Sequence, residues 1–172
     1  MKFEGIYTPI VTPYDDNHGI NYDVIEAIVD DLISSGVHGL LVAGTTGEYY
    51  SQEKDERVQL MKTCKEIIGN RLPFVVGTGA IRTEDSVFFA EEAAKVGADA
   101  ILVSTSPYAL PTERENALHA LAIDRAANLP IMLYNYPGRT GAMMGAEYLD
   151  RVARSANFCA IKESSGDIDR LH

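Results

Sequence analysis

Ala94-Lys95-Val96-Gly97-Ala98-Asp99-Ala100-Ile101-Leu102-Val103-Ser104 holds a helix end, a glycine stop and a buried strand in one short stretch. The residues before it, from Thr83 to Val96, read as a helix, and Gly97 stands where a left-handed helix cap is easiest. Ala100–Ser104 is a Leu, Ile and Val run without polar alternation. That pattern belongs to a strand covered on both faces, as in a parallel sheet flanked by helices.

The same unit repeats outward in both directions. Strand signals recur at Ile6–Thr12, Gly39–Ala43, Phe74–Gly77, Ala100–Ser104, Pro130–Tyr134 and Phe158–Lys162, about thirty residues apart, the length of a strand plus its crossover helix. Between them lie helical patterns at Asn21–Ser35, Gln52–Ile68, Thr83–Val96, Thr112–Ala127 and Gly145–Ala153. Ser51, Thr83 and Thr112 precede helical runs, and Thr112 with Glu115 makes a full capping box. Gly36, Gly69 and Gly97 close three helices.

Repeated βα units fit a doubly wound sheet or a (β/α)8 barrel. Six strands are visible, whereas a barrel has eight and typically about 250 residues. The sequence stops at His172, inside Asp167-Ile168-Asp169-Arg170-Leu171, which reads as the first turn of another helix. The expectation is a single domain over 1–172, a (β/α)8 TIM barrel truncated after its sixth strand.

Fifteen Lys and Arg against twenty-five Asp and Glu give a formal charge of −10, and no basic cluster exceeds two residues. Nucleic acid and anionic membrane are therefore poor partners. The apolar runs are strand-sized, with no hydrophobic signal region and nothing near the ~20 residues of a membrane helix; the expected location is cytoplasmic. Cys64 and Cys159 lack any pairing or metal pattern and read as core fillers. The histidines at 18, 38, 119 and 172 show no ligand spacing, so no metal is expected.

Lys162 ends the apolar run Phe158-Cys159-Ala160-Ile161, and Glu163-Ser164-Ser165-Gly166-Asp167 turns polar after it. A Lys at the carboxyl end of a buried strand is costly unless its amine does chemistry, which would need the neutral form. The bland alternative is that it snorkels into water or pairs with Glu163. Its company favours chemistry. Gly44-Thr45-Thr46-Gly47-Glu48, Pro107-Tyr108 and Tyr134-Asn135-Tyr136-Pro137-Gly138-Arg139-Thr140-Gly141 also follow apolar strands, and ligands bind at that end of parallel sheets. Gly-Thr-Thr-Gly could be a mere turn; a phosphate loop is disfavoured because neither Gly-Lys-Ser/Thr nor a complete Gly-x-Gly-x-x-Gly is present.

Together these motifs, with Ile161–Asp167, resemble the dihydrodipicolinate synthase and N-acetylneuraminate lyase family of class I pyruvate-dependent aldolases along the whole chain. The resemblance implies a (β/α)8 barrel in which Lys162 forms a Schiff base with the keto carbon of pyruvate or another 2-keto acid, whose enamine adds to an aldehyde. It further implies that Tyr134 relays protons, that Thr45 stands between Tyr134 and Tyr108, and that Tyr108 reaches in from a neighbouring subunit. Thr46, Gly44 and Gly47 would cradle the pyruvate carboxylate, and Arg139 would face a carboxylate of the second substrate, as on the synthase side of the family. No cofactor is implied, because the imine is the electron sink. A homo-oligomer, a dimer of dimers, is implied through Tyr108.

The activity that the resemblance implies is most like that of 4-hydroxy-tetrahydrodipicolinate synthases. Branches acting on 2-keto-3-deoxy sugar acids, and neuraminate lyase-like enzymes, use the same imine; a non-catalytic barrel fragment is the reading from another class. Departures are concentrated away from the pyruvate half. Ser106-Pro107-Tyr108-Ala109 keeps one tyrosine of a usual Pro-Tyr-Tyr, Ile81 stands where lysine-inhibited members carry Asn, and Tyr49-Tyr50 is bulky. These speak against lysine feedback and leave the second substrate open.

Overall fold

The computed structural model describes residues 2–171; His172, one of the four histidines read above, lies outside the described residues. Six strands, β1 (Tyr7–Pro9), β2 (Gly39–Val42), β3 (Phe74–Gly77), β4 (Ala100–Ser104), β5 (Ile131–Asn135) and β6 (Phe158–Glu163), form one sheet in sequence order, every pairing parallel. Helices α1 (Tyr22–Ser34), α2 (Lys54–Ile68), α3 (Thr83–Lys95), α4 (Glu113–Ala127), α5 (Pro137–Thr140) and α6 (Ala146–Val152) intervene. This is the strand order of a (β/α)8 barrel, not of a doubly wound sheet, whose order reverses part-way.

The lack of alternation in the strands has a direct cause. Leu40, Val42, Phe74, Val76, Ile101 and Val103 pack with the helices in one core cluster. Their strand neighbours Leu41, Val75, Ala100 and Leu102 join Tyr134 in a second cluster on the other face. Successive side chains point to opposite faces, so covering both makes the whole strand apolar.

Helix ends follow the sequence signals with two shifts. Asn21 caps α1, its side chain accepting from Val24 N, and Thr112 with Glu115 forms the expected capping box on α4. Ser51 instead ends a short 3-10 turn, Tyr49–Ser51, and α2 starts after Glu53, whose backbone N–H donates to Glu56 at 3.3 Å. Thr83 is the first residue of α3, with Arg82 at the cap. Gly36, Gly69 and Gly97 all take positive φ, as a helix stop requires.

Two expectations about β6 need correction. Phe158–Lys162 is only partly covered: Ile161 is 42% exposed and Cys159 is exposed, so Cys159 is no core filler. Among the described residues β6 is paired on one side alone, with β5, which leaves its outward positions open. Cys64, by contrast, is fully buried on α2, and burial pushes its thiol up to about 12. No helix among the described residues is long and apolar enough to cross a membrane.

Candidate active site

The carboxyl ends of the strands gather the polar residues. Register places Ser104 of β4 opposite Tyr134 of β5, and Tyr134 opposite Lys162 of β6. In a parallel ladder such a row shares one face. The Lys162 Nζ lies 4.3 Å from the centroid of the Tyr134 ring.

No carboxylate accompanies that amine among the described residues. Glu163, its sequence neighbour, points to the opposite face and pairs with Arg170 at 3.1 Å, which removes the simplest structural explanation for Lys162. Burial alone holds the Lys162 amine below the usual lysine range, because the charged form loses water and gains no counter-ion.

Thr45 sits between glycines whose absence of a side chain is required. A Cβ on Gly47 would come within 3.1 Å of the Ile10 carbonyl and 3.2 Å of Thr12 Oγ1. Thr12 Oγ1 donates to the Gly47 carbonyl at 2.8 Å, and Gln52 Nε2 at 2.9 Å. Ala43 and Glu48, on either side, hold left-handed φ values of 54° and 55°. Such backbone costs energy and persists only where the surroundings fix it. Gly44 and Gly47 are buried, whereas Thr46 is exposed.

A cavity of about 370 Å³ is lined by Thr45, Ser104, Tyr134, Tyr136 and Arg139, with Tyr49 and Tyr50 on one wall. Lys162 is not on that wall; its amine lies against the Tyr134 ring. Tyr134 is 8% exposed. Desolvation, reinforced by Tyr136, raises its phenol above the usual range, against Arg139 and the hydroxyls of Ser164 and Thr45, which favour the phenolate. At neutral pH it is therefore protonated.

Arg139 projects from α5, a single turn too short to show a helical period in the sequence, which Pro137 starts and Gly141 closes with φ 71°. Its guanidinium carbon lies 5.5 Å from the Tyr136 ring. Tyr108 behaves differently. It is 90% exposed with φ 71°, and it borders a separate open groove with Leu110 and Pro137–Gly141. Within one chain it does not line the cavity that Thr45 and Tyr134 share.

A second cavity, about 470 Å³, shares Tyr49 and Tyr50 with the first and is also lined by Ile81, Asp85, Phe89 and Arg57. Arg57 is 1% exposed and was missed from sequence because it occupies a core position of an otherwise ordinary amphipathic helix. Among the described residues no group of three or more His, Cys, Asp or Glu could hold a metal ion.

Comparison with known proteins bears on all of this. The family model described as the Dihydrodipicolinate synthetase family matches residues 2–172. The 4-hydroxy-tetrahydrodipicolinate synthase of Bacillus velezensis is 37% identical over 172 residues, covering 99% of this chain and 59% of the relative. That of Bacillus subtilis is 36% identical over 173 residues, with the same coverage. Among solved structures, the 4-hydroxy-tetrahydrodipicolinate synthase of Methylacidiphilum fumariolicum SolV superposes with TM-score 0.95 at 30% identity, covering 99% of this chain and 57% of that one. A Ruminococcus gnavus sialic acid aldolase superposes at 0.94 with 22% identity, a likeness of fold alone. The chain thus spans about three fifths of the length of the curated relatives it matches.

Proposed function

The chain belongs to the dihydrodipicolinate synthetase family, and from that membership we propose that it forms a Schiff base between Lys162 and pyruvate or another 2-keto acid, and condenses the product with an aldehyde, most like a 4-hydroxy-tetrahydrodipicolinate synthase. The observation that carries the reading is the Lys162 amine, half-buried against Tyr134 with no carboxylate beside it among the described residues.

The chemistry asks for those features in order. An unprotonated amine adds to the keto carbon, and loss of water gives an imine. The imine draws electrons from the adjacent methyl carbon far better than a ketone does, so a proton leaves that carbon and an enamine forms. A positioned acid and base must move these protons. Tyr134, kept protonated by burial and with Thr45 near its hydroxyl, suits that task. Tyr108 would complete the relay from a neighbouring copy in a dimer of dimers; its exposure leaves it free to do so. The backbone around Gly44, Thr46 and Gly47 suits the keto acid's carboxylate. Arg139 suits an anionic group on the second substrate, because its planar fork matches a carboxylate. The imine serves as electron sink, so this chemistry calls on no cofactor. We read the six βα units as one domain, corresponding to part of the longer chains of the relatives, and the working location as cytoplasmic.

Borohydride reduction with pyruvate tests the proposal: the expected product is Lys162 carrying the reduced pyruvate adduct, located by peptide mass, and an unmodified Lys162 refutes it. A second reading, aldol cleavage or dehydration of 2-keto-3-deoxy sugar acids on the same imine, is favoured by the bulky Tyr49 and Tyr50 on the cavity wall. Product from aspartate semialdehyde supports the synthase; product only from keto-deoxy acids supports the second reading.

A further inference from the structure

The acidic residue next to Lys162 is held in a closed ring of polar contacts on the far side of β6. Asn135, 1% exposed and opposite Glu163 in register, donates its amide to both carboxylate oxygens, at 3.0 and 2.9 Å. Ser165 N–H donates to Oε1 at 2.8 Å, and Arg170 Nε to Oε2 at 3.1 Å. Arg170 Nη2 reaches on to the Met144 carbonyl at 2.7 Å, and Met144 N–H returns to Asn135 Oδ1 at 3.0 Å. The cycle Glu163–Asn135–Met144–Arg170 joins the end of β5, the loop that follows α5, the end of β6 and the turn after it.

We propose that Glu163 is a positioning residue for Lys162: it locks the strand end that presents the amine, while its own charge is fully consumed on the opposite face. The inference rests on the reading of Lys162 as the Schiff-base residue and goes beyond it, because Glu163 touches no part of the cavity. Two facts make the arrangement more than a surface ion pair. The Glu163 side chain is 6% exposed, and each of its oxygens takes two donors, the full capacity of a carboxylate. A Glu beside a Lys at a sheet mouth otherwise offers the nearest counter-ion, which would keep the amine protonated. The pleat turns it away, and the ring leaves it nothing to gain by turning back.

Besides Lys162 and Glu163, the charged and titratable groups of the described residues on these segments are Tyr134 on β5, Tyr136 and Arg139 after it, Cys159 on β6, and Asp167, Asp169 and Arg170 after β6. Of these, Tyr134 meets the amine and Arg170 meets the acid.

The test is the pH dependence of borohydride trapping of pyruvate on Lys162, in the purified full chain carrying Glu163→Gln or Arg170→Gln. In Glu163→Gln one acceptor becomes a donor facing Asn135 and Arg170, the ring opens, and water reaches the amine. In Arg170→Gln the carboxylate loses its counter-ion. Both variants are expected to trap with a midpoint shifted upward by about one pH unit, about tenfold slower on the acid side. A merely structural role would lower the melting temperature and leave the midpoint unmoved. An unmoved midpoint overturns the inference. So does a downward shift in Glu163→Gln, the result if Glu163 acted only as a through-space charge. Absence of any adduct in the unsubstituted protein overturns the Lys162 reading and this inference with it. Should Glu163→Gln not fold, Arg170→Gln at the more exposed end of the pair decides.

Discussion

Arg57 stacks on Phe89, its guanidinium carbon 3.9 Å from the ring centroid, inside a core where it is 1% exposed. Tyr49 covers it at 5.0 Å, and its nitrogens donate to the carbonyls of Gly77 at 2.5 Å and Gly79 at 2.8 Å. Burial pushes it down to about 9, which still leaves it charged at neutral pH. Rings and carbonyls, not an acid, hold this cation.

Removing it should therefore act on the frame. Arg57→Ala takes this donor from the buried Gly77 carbonyl and the part-buried Gly79 carbonyl, and leaves a void between Tyr49 and Phe89. The expected loss is about 3 kcal/mol or more in urea unfolding, within the range for buried unpaired groups plus a cavity. Arg57→Lys should recover less than half, because an ammonium cannot stack flat and span both carbonyls. A melt within 1 kcal/mol of the unsubstituted protein, about the size of an ordinary surface effect, would show that the contacts are incidental.

Gly77→Ala tests the close approach of β3 to the Thr45 loop. A Cβ there would sit 2.3 Å from the Ala43 carbonyl oxygen, a backbone atom that cannot swing aside. Ala43 already holds a left-handed φ of 54° at the start of that loop. Thermal stability should fall, and pyruvate trapping on Lys162 should fall more than tenfold, because a displacement of about 1 Å is enough to upset a reacting geometry. Trapping at the normal rate would mean that the loop does not hold the keto acid.

Much of this was legible because the strands write their environment locally. Ala100–Ser104 and Phe74–Gly77 are apolar on both sides, and their bounds agree with the sequence signals. β6 broke the rule: Cys159 and Ile161 are as apolar as their counterparts, yet a sequence does not state whether a second neighbour covers them. Arg57 was illegible for a similar reason, since a cation at a core position of α2 looks like surface until Tyr49 and Phe89 close over it. The separation of Lys162 from Glu163 could have been read, because consecutive strand residues face opposite ways. The single turn of α5 was also signalled, by Pro137 at its start and Gly141 at its end. Thr45, Tyr134 and Arg139, which belong to two of the motifs, line one cavity, whereas Tyr108 borders a separate groove.

Acid should unfold the protein through Glu163. Desolvation alone would raise that carboxyl, but the hydrogen bonds from Asn135, Ser165 and Arg170 bring it down to about 2, from an ordinary 4.5. A folded pKa below the unfolded one means that the native state binds its proton later. The stabilisation is complete above pH 4.5 and is lost as pH falls toward 2. Melting temperature plotted against pH should drop by several degrees in that window. In Glu163→Gln the same drop should be visibly smaller, and two parallel curves would assign the acid sensitivity elsewhere.

Tyr134→Phe separates packing from proton transfer. The ring is 8% exposed and packs 5.8 Å from Tyr136, and phenylalanine keeps that contact while losing only the hydroxyl. The melting temperature should be nearly unchanged. The phenol stays protonated well past neutral pH, which suits the proposed relay of delivering a proton and taking it back; on that proposal turnover should fall by about 10²- to 10⁴-fold, the usual worth of one positioned acid or base. The imine with pyruvate should still form, since the amine and the Thr45 loop are untouched, so borohydride still labels Lys162. Slow turnover with labelling intact places the hydroxyl in the proton steps after substrate capture. Normal turnover would reduce Tyr134 to a core aromatic against which the amine merely rests.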